Sequence, residues 1–200
     1  MALFGLTRTV NPEPLVRGDG LYLRPATPAD YAPWSRLRAA SRAFLEPWEP
    51  TWPEDDLTQA AFRRRLRRQD EDISRDEAYA FLIFDQTSDQ MLGGITLGAV
   101  RRGVSQTGTL GYWMGAPHAG KGRMTRAVAA VVDFAFSKLR LHRVEAACIP
   151  DNGPSIAVLE RNGFQREGYA RGYLKIDGAW RDHVLFGLLE SEAGARRTAS

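Results

Sequence analysis

The segment GAPHAGKGRMTRA, Gly115 to Ala127, carries the densest chemical signal in the chain. Gly115, Gly120 and Lys121 have the spacing of a nucleotide-binding P-loop, but a P-loop needs Ser or Thr directly after its lysine to hold the Mg²⁺ that bridges nucleoside phosphates. That position is Gly122. The segment can offer backbone N–H groups to a phosphate without a metal ligand, which points to an anion that arrives without magnesium. From Met124 the apolar residues Ala127, Val128, Val131, Val132, Ala135 and Leu139 follow helical spacing. A helix therefore begins where the glycines end, and its unpaired first N–H groups and its dipole favour negative charge. Gly120 and Gly122 allow close backbone approach, and Lys121 or Arg123 adds charge; a tight turn that uses glycine only for its conformation is the alternative.

A second motif stands about thirty residues on, NGPSIAVLERNGF from Asn152 to Phe164. Its N-x-x-S spacing puts Asn152 and Ser155 together at a helix start, with Asp151 or Asn152 able to cap and Pro154 suited to the first turn. Cys148 lies in an apolar strand with no base beside it in sequence and reads as a small buried core residue. Arg181-Asp182-His183 could be mistaken for part of a triad, but neighbouring strand residues point to opposite faces and no serine nucleophile motif is present, so a structural ion pair is expected. Arg63 to Arg68, RRRLRR, reads either as a patch for RNA or an acidic protein, or as the solvated face opposite Phe62 and Leu66.

The elements that must position these residues form one domain. Two hundred residues, 44% hydrophobic and 26% charged, can bury a sizeable core. A single cysteine excludes an internal disulfide, and three histidines with one thiol argue against structural zinc. There is no secretory signal pattern at the N-terminus and no apolar run of membrane-spanning length, so a cytoplasmic protein is expected. The net charge of +3 carries little weight.

GLYLRPAT reads as a strand and TPADYAPWSRLRAASRAF as a helix with Thr27 as cap and Pro28 in first position. FLEPWEPTWPEDD is a proline-rich loop displaying tryptophans, followed by a helix over Leu57 to Asp70. Three strands in a row, AYAFLIFD, LGGITLGAV and GTLGYWMG, predict an antiparallel meander. After the glycine-loop helix come the strand RVEAACI, a short helix stopped by Gly163, and a hairpin turning at Asp177-Gly178. The order β-α-α-β-β-β-α-β-α-β-β makes a single α+β domain over residues 19–189 with a mostly antiparallel mixed sheet, an N-terminal extension over 1–18 and a polar tail over 190–200.

The glycine loop and the NGPSIAVLERNGF segment together resemble the GNAT superfamily of acyl-CoA-dependent N-acyltransferases, over most of the chain. The resemblance implies that Tyr112, Trp113, Met114 and Gly115 form the strand holding the pantetheine arm of acetyl-CoA. It makes Ala119, Gly120, Lys121, Gly122, Arg123 and Met124 the pyrophosphate loop. The family pattern wants Gln or Arg where this chain has Pro117, which should cost cofactor affinity. FLEPWEP (Phe44 to Pro50), EGYARGYLKIDGAWRDHVL (Glu167 to Leu185) and the Asn152/Ser155 pair look like the RimJ/RimL branch, whose members acetylate the N-terminal α-amine of ribosomal proteins.

Direct transfer then implies a neutral amine, a polarised thioester carbonyl and a proton for the departing thiolate. By this resemblance a backbone N–H near Met114 or Gly115 polarises the carbonyl, Ser155 is the candidate proton donor, and Asn152 holds pantetheine or water. Glu46, Glu49 and Glu145 are candidate bases. The acceptor is expected between FLEPWEP and the final hairpin, against Phe44, Trp48, Glu49, Tyr169, Tyr173, Trp180, Arg181 and Asp182; Trp48 and Trp180 capping the core is the plainer alternative. The expected activity is metal-free acetyl transfer from acetyl-CoA to the N-terminus of a ribosomal protein, by a monomer or homodimer that needs neither membrane nor nucleic acid. The rivals are an acetyltransferase for a polyamine or aminoglycoside, and a catalytically idle module binding the ribosome or RNA.

Overall fold

A computed structural model describes residues 15–197. Two short strands, β1 (Val16–Gly18) and β2 (Leu21–Arg24), lead through a single 3-10 turn at Pro28–Asp30 into α1 (Tyr31–Ala40). Asp30 accepts from the Thr27 backbone N–H at 2.6 Å and from both Arg24 guanidinium ends at 2.7 and 2.8 Å, which ties the helix entry to the end of β2. A one-turn α2 (Arg42–Leu45) passes into the EPW turn at Glu46–Trp48. Then comes α3 (Gln59–Ser74), which starts where the Thr58 hydroxyl accepts from Ala61 N–H at 3.2 Å.

The meander follows as β3 (Tyr79–Asp85), β4 (Met91–Arg101) and β5 (Thr107–Met114), then α4 (Arg123–Ser137), β6 (Arg143–Cys148), α5 (Gly153–Arg161), β7 (Gln165–Ile176), β8 (Ala179–Leu189) and α6 (Glu190–Arg197). The eight strands form one sheet in the order β1-β2-β3-β4-β5-β6-β8-β7, antiparallel at every junction except β5–β6. Its two faces are covered differently. The apolar stripe of α4, including Ala127, Val128, Val131 and Ala135, packs with Leu23, Ile83, Ile95, Leu97 and Val144 in the larger core. The smaller cluster joins Trp34, Phe62, Leu66, Leu82, Phe84 and Met91, where α1 and α3 meet the opposite face.

The fold is the expected α+β domain with a mostly antiparallel sheet, and it departs from the sequence expectation in three places. Residues 1–14 of the expected N-terminal extension lie outside the described residues, and Val16–Gly18 pairs with β2. The final hairpin, which the run GYLKIDGAWRDHVLFGLL places from Gly172, begins at Gln165, because β7 is a long, exposed edge strand whose two register shifts against β8 interrupt the alternation. The expected polar tail starts as α6: Glu192 in its first turn accepts from Leu189 N–H at 3.0 Å and receives the Gln165 amide at 2.6 Å. Among the described residues no helix is long and apolar enough to cross a membrane.

The parallel junction positions the site. β5 and β6 pair only from Thr107↔Arg143 to Leu110↔Ala146, after which β5 runs on to Met114 and β6 to Cys148 without further pairing. On its other edge β5 stays paired with β4 as far as Met114↔Gly93. A wedge therefore opens between β5 and β6, with backbone groups of β5 facing into it.

Candidate active site

The wedge widens into a cavity of about 720 Å³. Its walls are the end of β5, the glycine loop with the start of α4, the end of β6 and the start of α5; Phe44, Trp48 and Glu49 of the FLEPWEP segment and Leu174, Ile176 and His183 of the final hairpin complete the lining.

The glycine loop has the geometry that its sequence suggests. Gly120 and Gly122 adopt φ of +73° and +69°, with open space where a Cβ would sit, so backbone conformation rather than crowding demands glycine. Gly122 is the N-cap of α4 and no side chain caps the helix, so the N–H groups of its first turn are left for a ligand. Arg123 spans the loop: its Nη1 lies 3.3 Å from His118 Nδ1 and its Nη2 3.3 Å from Asp85. Burial and the Arg123 and Lys121 charges push the His118 imidazole below its ordinary pKa. Lys121 donates to the Pro117 carbonyl at 3.0 Å, folding back over the position where the family pattern has Gln or Arg.

Strand alternation separates Met114 from Gly115. The Gly115 N–H donates to Leu92 O at 2.8 Å, toward β4; successive strand N–H groups point to opposite edges, so the Met114 N–H faces the wedge. Met114 lines the cavity and Gly115 does not. Gly115 is thereby corrected as a cofactor contact: a Cβ there would meet Leu37 Cγ at 2.9 Å, so packing against α1 explains the glycine.

Asn152 and Ser155 come together as their spacing suggests. Asn152 Oδ1 accepts from the Ser155 backbone N–H at 3.1 Å and caps α5, and both residues line the cavity. The Ser155 hydroxyl lies 2.9 Å from Tyr112 Oη and 3.0 Å from Cys148 Sγ. Burial, then the neighbouring Cys148, raises the Tyr112 phenol, and burial raises the Cys148 thiol, so both sit beside Ser155 as neutral hydrogen-bonding groups. Cys148 is buried as expected, yet it also forms part of the cavity wall. Sequence spacing could not bring Tyr112, Cys148 and Ser155 together, since they sit on two strands and a helix that meet only at the wedge.

The candidate carboxylates separate. Glu49 reaches the cavity, but its oxygens accept from both Arg38 guanidinium ends at 2.7 Å and from Trp52 Nε1 at 2.8 Å. Arg38 is buried, stacked 4.0 Å from the Trp52 ring and 4.9 Å from that of Trp113. Glu46 pairs with Arg42. Glu145 does not line the cavity; it binds Arg143 at 2.9 Å beside Glu167, because the alternation that turns Val144, Ala146 and Cys148 inward turns Glu145 outward. That corrects its candidacy as a base.

The aromatic wall is also partly corrected. Phe44 and Trp48 line the mouth, whereas Tyr169, Tyr173, Trp180 and Asp182 do not. Trp180 is 68% exposed and pairs with Lys175 across the hairpin, so it neither lines the cavity nor caps the core. Asp182 is occupied within the hairpin, accepting from Tyr169 Oη at 2.8 Å and Gly172 N–H at 2.7 Å. The residue of the RDH triplet that does reach the cavity is His183, expected only as part of an ion pair. On α3, Arg64 and Arg65 pair with Asp55 and Asp56, while Phe62 and Leu66 are buried, which fits a solvated face.

A sequence model of the acetyltransferase (GNAT) domain matches residues 20–165. The chain belongs to the GNAT acetyltransferase family. It is 38% identical over 178 residues to the Bacillus subtilis (strain 168) protein named "Probable N-acetyltransferase YjcK", covering 89% of this chain and 98% of that protein. It is 34% identical over 186 residues to the ribosomal protein uS5-alanine N-acetyltransferase of Escherichia coli (strain K12), covering 93% of this chain and 95% of the relative. Among solved structures, Mycobacterium smegmatis RimJ in complex with CoA-disulfide superimposes with a TM-score of 0.84 at 33% identity, over 92% of each chain. This GNAT enzyme is therefore similar over 93% of its length to a ribosomal-protein acetyltransferase.

Proposed function

We propose that this acetyltransferase modifies the N-terminal α-amine of a protein, in the first instance a ribosomal protein. The observation that carries the proposal is the cavity mouth. It is flanked by the half-exposed aromatic rings of Phe44 and Trp48, and Glu49, the one carboxylate among the described residues that line the cavity, is neutralised by Arg38. A polyamine or aminoglycoside would call for uncompensated negative charge; an N-terminal residue carries a single charge and brings an apolar side chain and backbone. The E. coli relative's name as a uS5-alanine N-acetyltransferase supports the same acceptor class.

Bound acetyl-CoA supplies the acetyl group as an activated thioester, and the residues fit it. The loop N–H groups and Arg123 would hold the pyrophosphate, and the open edge of β5 along Tyr112 to Met114 would hold the pantetheine arm. Met114 N–H would donate to the thioester carbonyl oxygen from a backbone that needs no rearrangement. Ser155 would protonate the departing thiolate, its hydroxyl held by Tyr112 and its backbone by Asn152. Phe44 and Trp48 would seat the first residues of the acceptor. An α-amine with pKa of about 7.7 to 8.0 is roughly 10 to 20% neutral at pH 7, so this acceptor needs far less activation than a lysine.

The test is mass spectrometry of a mixed pool of peptides and small amines incubated with enzyme and acetyl-CoA, with the acetyl group placed by fragmentation. Acetylation confined to peptide N-termini is expected. Acetylation of polyamines or aminoglycosides alone would remove the protein-acceptor proposal while leaving the transfer chemistry in place.

A further inference from the structure

The acceptor nitrogen must lose a proton when it forms its bond to the acetyl carbon, and the two carboxylates foremost as bases are poorly placed. Glu145 lies outside the cavity, and Glu49 is held by Arg38 and Trp52. His118 lines the opposite end, at the glycine loop, with its Nδ1 beside Arg123. His183 remains.

His183 is 3% exposed, sits on β8 and lines the cavity with Leu174 and Ile176 of the same hairpin. Its Nδ1 lies 3.0 Å from the Arg181 carbonyl oxygen. A carbonyl only accepts, so Nδ1 carries the ring hydrogen in the neutral imidazole and Nε2 keeps its lone pair. Tyr173 meets the ring edge-on at a centroid distance of 5.6 Å and limits its rotation. Of the ionisable groups on the packed strands, Tyr173 of β7 touches the ring, Tyr169 and Arg171 of β7 act on the neighbouring Asp182, Cys148 of β6 pairs in register with the adjacent Val184, and Arg143 and Glu145 of β6 are engaged with each other. The adjacent carboxylate, Asp182, is occupied by Tyr169 and Gly172. An imidazole whose Nδ1 is held by a backbone carbonyl, so that Nε2 is the free ring nitrogen on the wall of the cavity, has the construction of a general base.

We propose that His183 is the catalytic base, its Nε2 taking the proton from the acceptor nitrogen. The proposal rests on the acceptor entering between Phe44 and the β7–β8 hairpin. As the N–C bond forms, His183 Nε2 receives the nitrogen's proton; as the C–S bond breaks, Ser155 gives its proton to the sulfur. Solvent then takes the proton from His183 and returns one to Ser155, so one proton moves in net from nitrogen to sulfur.

The experiment is the pH dependence of kcat/KM for an acetylatable peptide, compared between the wild type and His183→Ala. In the wild type two groups must be deprotonated, the amine and His183, so log kcat/KM should fall on the acid side of the profile with a slope approaching two. In His183→Ala only the amine titrates: the slope should stay at one, the rate at neutral pH should drop about 100-fold, and added imidazole should restore part of it. KM for acetyl-CoA should be unchanged. A slope of two retained in the variant, or a loss of less than about threefold at neutral pH, would overturn the proposal. A role confined to packing would lower the melting temperature without altering the slope, and would count against it equally. If His183→Ala does not fold, His183→Gln supplies the same comparison. If the wild type acetylates small amines and not peptides, the protein-acceptor proposal falls, and the slope comparison made on that amine still judges His183.

Discussion

Replacing Glu49 with Gln should destabilise the protein measurably without moving the acidic limb of its rate profile. Glu49 Oε1 accepts from Arg38 Nη1 at 2.7 Å, and Oε2 accepts from both Arg38 Nη2 at 2.7 Å and Trp52 Nε1 at 2.8 Å. An amide can keep only one of these acceptor positions; its NH₂ group must oppose a donor at the other. The guanidinium cannot retreat to water, because the Arg38 side chain is 7% exposed and flanked by Trp52 and Trp113. Removing one member of a buried pair costs about 3 to 5 kcal/mol. Since Glu49 is itself 20% exposed and a Gln oxygen at the Oε2 position keeps two of the three hydrogen bonds, about 2 to 3 kcal/mol is expected here. For a chain of this size that corresponds to about 5 to 10 °C in Tm. Urea unfolding with an unchanged m-value would measure it, and adding Arg38→Met should recover at least about 1 kcal/mol by removing the stranded charge. A loss below about 0.5 kcal/mol, or no recovery in the double variant, would refute the view that this pair braces the acceptor mouth. A shifted acidic limb in Glu49→Gln would show that Glu49 takes the proton after all.

Two further substitutions probe the cofactor side. Gly122→Ala meets no atoms but is forced to φ near +69°, a strain of about 1 to 2 kcal/mol; it should weaken acetyl-CoA binding several-fold by calorimetry, whereas Gly115→Ala should lower stability through Leu37 at least as much as it affects binding. Ser155→Ala should lower kcat by about 10- to 100-fold, and if Tyr112 acts by holding the Ser155 hydroxyl, Tyr112→Phe should cost almost nothing further in the Ser155→Ala background; additive losses in steady-state assays would show that Tyr112 acts independently.

Local chemistry was readable in the sequence wherever a single segment carries it. The positive-φ glycines, the apolar stripe of α4 and the Asn152 cap of α5 depend on backbone sterics and on neighbours within one turn, so residue type and spacing sufficed. The absence of Ser or Thr after Lys121 likewise pointed away from a magnesium-bearing nucleotide. Tertiary structure decided what lies opposite what. Pairing between β5 and β6 stops at Leu110↔Ala146, a register that neither strand announces, and that opening turns the loop, Met114 and Ser155 into one site. Alternation on β6 sends Glu145 outward, and alternation on β5 selects the Met114 N–H over that of Gly115. Pairing of β8 between β6 and β7 leaves Trp180, near the turn, in solvent and buries His183, farther along the strand, against the cavity. Sequence thus determined each element's own face and capping, which are short-range properties of the chain. The identity of the side chains converging on the acceptor was set by sheet register, a long-range property that residue spacing does not encode.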